Sequence, residues 1–238
     1  NANGVPDDCD ILEGDAWDCN NNGVPDSCDY ADGVLHDDNG NGFPDECEND
    51  LPFIQLQEIR IDQPGADDDE YFEIRGDQSM DLTGVWYLVI GDGSGDTDGV
   101  IECAIDLSAM AIPANGSLLV AEDDDTLGVQ ANYVLSGNAL NFENSDNVTH
   151  VLVMNFYGFP GDDLDFDDDG ILDVEPWQDT IDGVNIIETT DGSGNWTYLM
   201  DGGIGPTADG YAPSHVYRYT SACGNFEMGT FDPYDPDS

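Results

Sequence analysis

Positive charge is almost absent from this chain. Its 238 residues contain 53 aspartates and glutamates, three arginines and no lysine, and the formal net charge with histidine neutral is −50. Surfaces that bind nucleic acid or an anionic membrane need lysine and arginine to meet phosphate groups, so the sequence argues against both partners. Without cations the carboxylates would repel one another and oppose a compact fold.

The acidity has two competing explanations, which are calcium binding and adaptation to high salt. Aspartate outnumbers glutamate, and much of the aspartate recurs in loop-like patterns. A face that is merely solvated needs no such preference for aspartate. The pattern therefore favours calcium, although the two explanations are compatible.

Long apolar runs and a leader segment are also missing. No apolar run approaches the roughly 20 residues that span a bilayer, so we expect no membrane insertion. Because the sequence starts at Asn1 without a charged-then-apolar leader, we expect that a signal peptide has been removed. Six cysteines indicate an oxidising compartment. These features predict an extracellular or cell-surface protein.

Catalytic signatures are absent as well. The sequence has no H-E-x-x-H motif, no G-x-S-x-G motif and no phosphate-binding glycine loop. His36 adjoins a candidate metal loop, whereas His150 and His215 sit in predicted strands, where we expect them to be packed or interfacial. Carboxylate pairs of the glycosidase type are uninformative in a chain this acidic. We expect no enzymatic activity.

The first fifty residues contain a repeated sequence. Residues 3–10, 22–29 and 41–48 carry the same order of Asn, Gly, Pro, Asp and Cys, with Glu48 ending the third copy, and each copy follows the last after 19 residues. Such repetition indicates a repeated backbone shape, since each of these residue types constrains a turn differently.

The repeated shape is that of a cation loop. Carboxylate, amide and carbonyl oxygens fall at alternating positions, with glycine at the sharp turn, and hard oxygens of this kind suit Ca²⁺. The predicted ligands are Asn1, Asn3, Val5, Asp7 and Asp10, then Asp18, Asn20, Asn22, Val24, Asp26 and Asp29, then Asp37, Asn39, Asn41, Phe43, Asp45 and Glu48. Apolar side chains are scarce here, so metal ions and disulfides must supply the order.

The run D-x-N-x-N-G-x-P-D-x-C-D resembles the thrombospondin type 3 repeats, especially their short bacterial versions. That resemblance covers residues 1–48 and implies an irregular, calcium-filled rod tied by disulfides between neighbouring repeats. It suggests a Cys9–Cys19 bridge, which would leave Cys28 and Cys47 as a pair, although six cysteines leave the connectivity open. The first loop lacks a residue at position 1, and Asp38 stands where the second repeat has Cys19.

From Leu51 the pattern changes to short strands separated by turn residues. Strands are predicted at residues 53–61, 70–75, 86–90, 100–105, 117–121, 148–153, 180–184 and 215–219. Strands at this spacing indicate an antiparallel β-sandwich. Cys103 and Cys223 are the only cysteines after residue 50, so we expect them to form a disulfide.

Several of these strands resemble the lamin-tail domain. The resemblance rests on residues 58–59, 69–74, 81–84, 86–88, 147–153 and 215–218, and it spans about residues 53–231. It implies an immunoglobulin-like sandwich that serves as a structural or interaction module and has no shared catalytic site. The predicted protein is therefore mainly β, with an irregular calcium-binding rod over residues 1–50 and a lamin-tail-like sandwich over residues 51–238.

A further ligand run lies inside the second domain. It reads D-x-D-x-D-G-x-x-D, and the candidate calcium ligands are Asp163, Asp165, Asp167, Asp169, Ile171, Asp173 and Glu175. The alternative is an acidic surface loop. We interpret Asp92, Asp96 and Asp98, and also residues 123–125, as parts of solvated loops rather than as calcium ligands.

The sequence predicts a secreted calcium-binding structural protein of an extracellular or cell-surface assembly. Because the first loop is incomplete, we expect carboxylates of residues 231–238 in a neighbouring copy to complete it, which would give a head-to-tail homopolymer. The alternatives are an adhesive or carbohydrate-binding module of a larger surface protein, in contact with a cell surface or polysaccharide, and an accessory fragment of a secreted hydrolase.

Overall fold

The fold is described from a computed structural model. It describes residues 24–36, 53–61, 70–93, 97–122, 130–137, 139–140, 142, 146–190, 196–200, 202–208, 210–218 and 226–229. These residues fall into two compact units, one with residues 24–36 and Phe53 and the other with the described residues from Ile54 onward.

The first unit contains a short helix, α1, at Asp26–Asp32. Pro25 precedes it, and Asp26 and Asp29 place negative charge in its first turn, where the helix dipole favours it. The helix ends at Gly33, whose φ of 71° is left-handed, and Val34 N–H donates to Asp29 O at 2.8 Å. The sequence pattern did not predict this helix, and the expected irregular rod over residues 1–50 stays a prediction.

The second unit is mainly β and has two sheets. Its strands are β1 Ile54–Arg60, β2 Tyr71–Gly76, β3 Val85–Gly93, β4 Thr97–Asp106, β5 Ser117–Ala121, β6 Tyr133–Val134, β7 Val148–Met154, β8 Asp179–Ile186, β9 His215–Arg218 and β10 Phe226–Met228. All eight predicted strands are confirmed. The strands β6 and β10 were not predicted, because two or three residues are too few to show alternation.

One sheet has the order β10-β9-β1-β2-β5-β6 and the other β4-β3-β7-β8. Each described strand pair is antiparallel except β5 with β6, which is parallel. The expected antiparallel arrangement is therefore found in each described strand pair other than β5 with β6.

The two sheets share one hydrophobic core. The ring of Phe72 in β2 stacks on that of Tyr87 in β3, with centroids 4.0 Å apart, and both side chains are fully buried. Alternate residues of β2 are buried, so one face of this strand meets the core. Burying each large apolar side chain contributes about 1.5–3 kcal/mol.

The four-stranded sheet is also covered on its other face. A second cluster joins Leu88 of β3 and Val151 of β7 to Leu164 and Trp177, which lie between β7 and β8 in the chain. Burial on both faces explains why six of the seven residues of β7 are buried. The segment that provides this cover also carries the fourth ligand run.

An ionic contact links β8 of one sheet to β9 of the other. Asp182 accepts hydrogen bonds from Leu56 N–H and from Arg218 Nη2, each at 2.7 Å. The Arg218 guanidinium lies 4.2 Å from the centroid of the Phe226 ring. Burial raises the pKa of Asp182, and Arg218 partly opposes this shift.

Cys103 is a free thiol. Its side chain is 4% exposed, and Sγ donates a hydrogen bond to Ala139 O at 3.5 Å. The expected disulfide between Cys103 and Cys223 is therefore wrong.

Among the described residues, no helix has the length and apolar character needed to cross a membrane.

Candidate metal centre

The fourth ligand run lies on the segment that connects β7 to β8. Leu164 and Trp177 are buried and hold this segment against the sheet. Its backbone also pairs with the edge of β4, because Ile101 N–H donates to Asp162 O and Leu164 N–H donates to Gly99 O, both at 3.0 Å. The loop that follows Leu164 therefore starts from a fixed backbone.

Asp165 is the fully buried member of the run, with no exposed surface. Its Oδ1 accepts from Asp169 N–H at 3.2 Å, and its Oδ2 accepts from Gly170 N–H at 2.9 Å. The phenol of Tyr198 also donates to Oδ2, at 3.0 Å. A buried carboxylate is costly unless it is hydrogen-bonded, and these three donors hold Asp165 in one orientation.

Asp165, Asp167 and Asp173 together form a group that could hold a metal ion. One carboxylate oxygen from each lies within 4.8 Å of the others, and Asp167 and Asp173 are exposed to solvent. The pKa of Asp167 is raised above its ordinary value, mainly by the charge of Asp169 and further by those of Asp173 and Asp165. A bound cation would relieve this repulsion.

Four other predicted ligands, three carboxylates and the Ile171 carbonyl, lie outside this three-residue group. Asp163 Oδ1 accepts from Asp165 N–H at 3.1 Å, and Asp169 Oδ1 accepts from Ile171 N–H at 3.0 Å, so both carboxylates stabilise turns. The third, Glu175, is exposed, and its carbonyl oxygen accepts from the Tyr157 phenol at 3.4 Å. The side chain of Ile171 is 69% exposed, and the role of its carbonyl oxygen as a ligand stays a prediction.

Two aromatic residues that the sequence pattern missed support the loop. The Trp196 ring lies against Gly170, where an added Cβ would be 2.6 Å from the ring, and its Nε1 donates to Asp168 O at 3.2 Å. Tyr198 is held on β7, because its N–H donates to Thr149 Oγ1 at 2.8 Å. Both follow the ligand run by more than twenty residues, so no local spacing connects them to it.

Asp98 also differs from its expected position in a solvated loop. It lies in β4, and its N–H donates to Asp168 Oδ1 at 2.9 Å. Asp92 lies in β3, whereas Asp96 and residues 123–125 are outside the described residues.

Few of the predicted ligands in the repeats can be placed. Val24 is exposed, whereas Asp26 and Asp29 are buried in the first turn of α1. The remaining predicted ligands lie outside the described residues; they are Asn1, Asn3, Val5, Asp7, Asp10, Asp18, Asn20, Asn22, Asp37, Asn39, Asn41, Phe43, Asp45 and Glu48.

His150 and His215 are packed in strands, as expected. His150 has no exposed surface, its Nδ1 lies 2.7 Å from the Tyr87 phenol oxygen, and burial lowers its pKa to about 3. It is therefore neutral at ordinary pH. His215 Nε2 lies 2.9 Å from Glu58 Oε1, and the Tyr71 phenol donates to the same carboxylate oxygen.

Comparisons of the chain with protein-family models, curated proteins and solved structures gave no match. The resemblances to thrombospondin type 3 repeats and to the lamin-tail domain therefore stay predictions. The function has to be argued from the residues of the site itself.

Proposed function

We propose that this protein is a secreted, non-catalytic calcium-binding structural protein of an extracellular assembly. The observation that carries the proposal is the convergence of Asp165, Asp167 and Asp173, with Asp165 oriented by three hydrogen-bond donors. Donors placed before an ion arrives lower the entropy lost when the ion binds.

The chemistry of the donor set favours calcium over other metals. All three side chains offer carboxylate oxygen, and neither histidine nor cysteine belongs to the group, which argues against zinc and copper. Magnesium demands a near-ideal octahedron, whereas calcium accepts six to eight oxygens in irregular geometry and leaves room for carbonyl and water ligands.

The structural role follows from the rest of the second unit. Two sheets with a shared core support an immunoglobulin-like sandwich of the kind the lamin-tail resemblance implies. In this proposal the calcium-binding repeats form a rod. The head-to-tail contact would use residues 1–10 and 231–238, which lie outside the described residues, so the homopolymer stays a prediction.

An adhesive or carbohydrate-binding module is the other candidate, and aromatic rings on a flat sheet face would favour it. Each exposed aromatic side chain among the described residues lies outside the strands; these are Tyr157, Phe159, Phe166, Trp196 and Tyr211. This arrangement favours the structural role.

Counting bound calcium ions tests the proposal. Equilibrium dialysis of the full chain with ⁴⁵Ca²⁺ should show that Asp167→Asn loses one site or weakens it at least about tenfold, because an exposed ligand loses its charge. Extracellular sites of this kind bind near 10⁻⁴–10⁻³ M, so millimolar calcium is the working range. Asp179→Asn, which changes an exposed aspartate outside the group, should bind like the unaltered protein. Equal binding by both variants would contradict the assignment.

A further inference from the structure

Large apolar side chains are exposed on the same segment. Tyr157 and Phe159 are each 71% exposed, Ile171 is 69% exposed and Phe166 is 62% exposed, and Trp196 lies against this segment with 39% exposure. Residues 157–176 together with Trp196 are called the aromatic acidic loop below. Exposed apolar side chains concentrated in one place mark a binding surface more often than isolated ones do.

The rings are carried by a well-anchored backbone. Tyr157 N–H donates to Pro176 O, and Phe166 N–H donates to Asp173 Oδ2, each at 2.8 Å. Leu164, inside the same loop, is buried in the second core cluster. The backbone that carries the rings is therefore already in place before a partner binds, which reduces the entropy cost of binding.

The charge of this surface has one sign. Residues 157–176 contain eight aspartates and glutamates and no basic residue. A single divalent ion would leave six of these negative charges uncompensated. Charge complementarity therefore requires a cationic occupant.

We propose that the aromatic acidic loop binds a basic polypeptide segment in which arginine or lysine alternates with apolar residues. The carboxylates attract the cationic groups, the exposed rings accept them face-on as cation–π partners, and the rings also cover the apolar side chains between them. Arginine is favoured over lysine, because its planar guanidinium is more weakly hydrated and stacks on aromatic rings.

Other occupants fit the charge less well. A second copy of this chain also has a net charge of −50 and would bring like charge to the contact. A neutral saccharide stacks on aromatic rings but has no charge to pair with the carboxylates. The proposal does not depend on a bound ion, because the rings and most of the charge are present with or without one.

The test measures binding of a fluorescent peptide to the full chain by anisotropy, in millimolar calcium. The probe is four repeats of Arg-Leu-Gly, and the matched control peptide has glutamate in place of arginine. We expect the arginine peptide to bind, its dissociation constant to rise with salt, and the glutamate peptide not to bind. The double variant Tyr157→Ala/Phe159→Ala should weaken binding about fivefold to thirtyfold through the loss of two exposed cation–π contacts.

Tyr211→Ala is the matched control variant, since Tyr211 is 68% exposed and lies outside the aromatic acidic loop. It should bind the arginine peptide like the unaltered chain. If both variants bind equally, attraction to the overall charge explains binding and the proposal is overturned. Preferential binding of cellohexaose over the arginine peptide also overturns it and favours a saccharide surface.

Phe166→Ala provides a second variant if the double variant fails to fold. The double variant Tyr157→Ala/Phe159→Ala should weaken peptide binding and retain calcium binding, which separates this proposal from the calcium site.

Discussion

The phenol of Tyr198 donates a hydrogen bond to Asp165 Oδ2 at 3.0 Å, and both residues are buried. Burial raises the pKa of Tyr198, and the Asp165 charge adds to this shift, so the phenol stays protonated as a donor. The contact joins the metal-ligand group to β7, because Tyr198 is itself bonded to Thr149. Asp165 is therefore positioned by a part of the chain that lies far away in sequence.

Replacing Tyr198 with phenylalanine should destabilise the protein. The change removes one donor from a buried carboxylate, and hydrogen bonds to charged groups contribute about 1.5–3 kcal/mol. Urea unfolding of the calcium-free protein measures this as a lower free energy of unfolding. Tyr211→Phe, at an exposed tyrosine, should change it by less than about 0.5 kcal/mol. Equal stability of the two variants would show that the Tyr198–Asp165 contact is energetically unimportant.

Two glycines in the segment between β7 and β8 allow the cost of backbone strain to be measured apart from the cost of a steric clash. Gly161 and Gly170 have φ of 90° and 86°, but only at Gly170 would a Cβ meet another residue, namely Trp196. Gly161→Ala should therefore cost about 1–2 kcal/mol for the left-handed backbone alone, and Gly170→Ala should cost more because the indole has to move.

The four tryptophans of the chain can be resolved by ¹⁹F NMR after labelling with 5-fluorotryptophan. One resonance, assigned to Trp196 by substitution, should shift strongly in Gly170→Ala and little in Gly161→Ala. An unshifted resonance in both variants would contradict the contact between Trp196 and Gly170.

His150 should make the protein sensitive to acid. Its pKa falls from an ordinary 6.5 to about 3 on burial, so below pH 6.5 the unfolded chain binds a proton that the folded chain does not. Stability from this residue is complete above pH 6.5 and is lost as pH falls toward 3, at up to about 1.4 kcal/mol per pH unit. Between pH 7.5 and 5.0, His150→Gln should lose about 2 kcal/mol less stability than the unaltered protein. The free energy of unfolding is measured with urea at both pH values. If the variant and the unaltered protein lose the same amount between them, the prediction is refuted.

Cys103 should be unreactive in the folded protein. Burial raises the pKa of its thiol to about 12, so almost no reactive thiolate is present near pH 8. Iodoacetamide should leave Cys103 unmodified under native conditions and modify it after unfolding, as read by mass spectrometry after cleavage at aspartate. A peptide that joins Cys103 to Cys223 would contradict the structure.

Local patterns located most of the second unit. The alternation of residues 70–75 and the apolar run at 86–90 correctly placed β2 and β3, since a strand that faces a core carries its own periodicity. The D-x-D-x-D-G spacing likewise identified Asp165, Asp167 and Asp173. The spacing did not distinguish these carboxylates from Asp163 and Asp169, which lie outside the group and accept hydrogen bonds from the loop backbone.

The sequence by itself determined the charge, the classes of partner that this charge argues against, the longer strands and the acidic loop, because each depends on composition or on the periodicity of one segment. Only the tertiary structure decided that Tyr198 and Trp196 support that loop, that the four-stranded sheet is buried on both faces, and that Cys103 is a free thiol. These features are contacts between segments far apart in the chain. Side-chain packing decides which of these segments contact each other, and the spacing of residues within one segment does not predict such contacts.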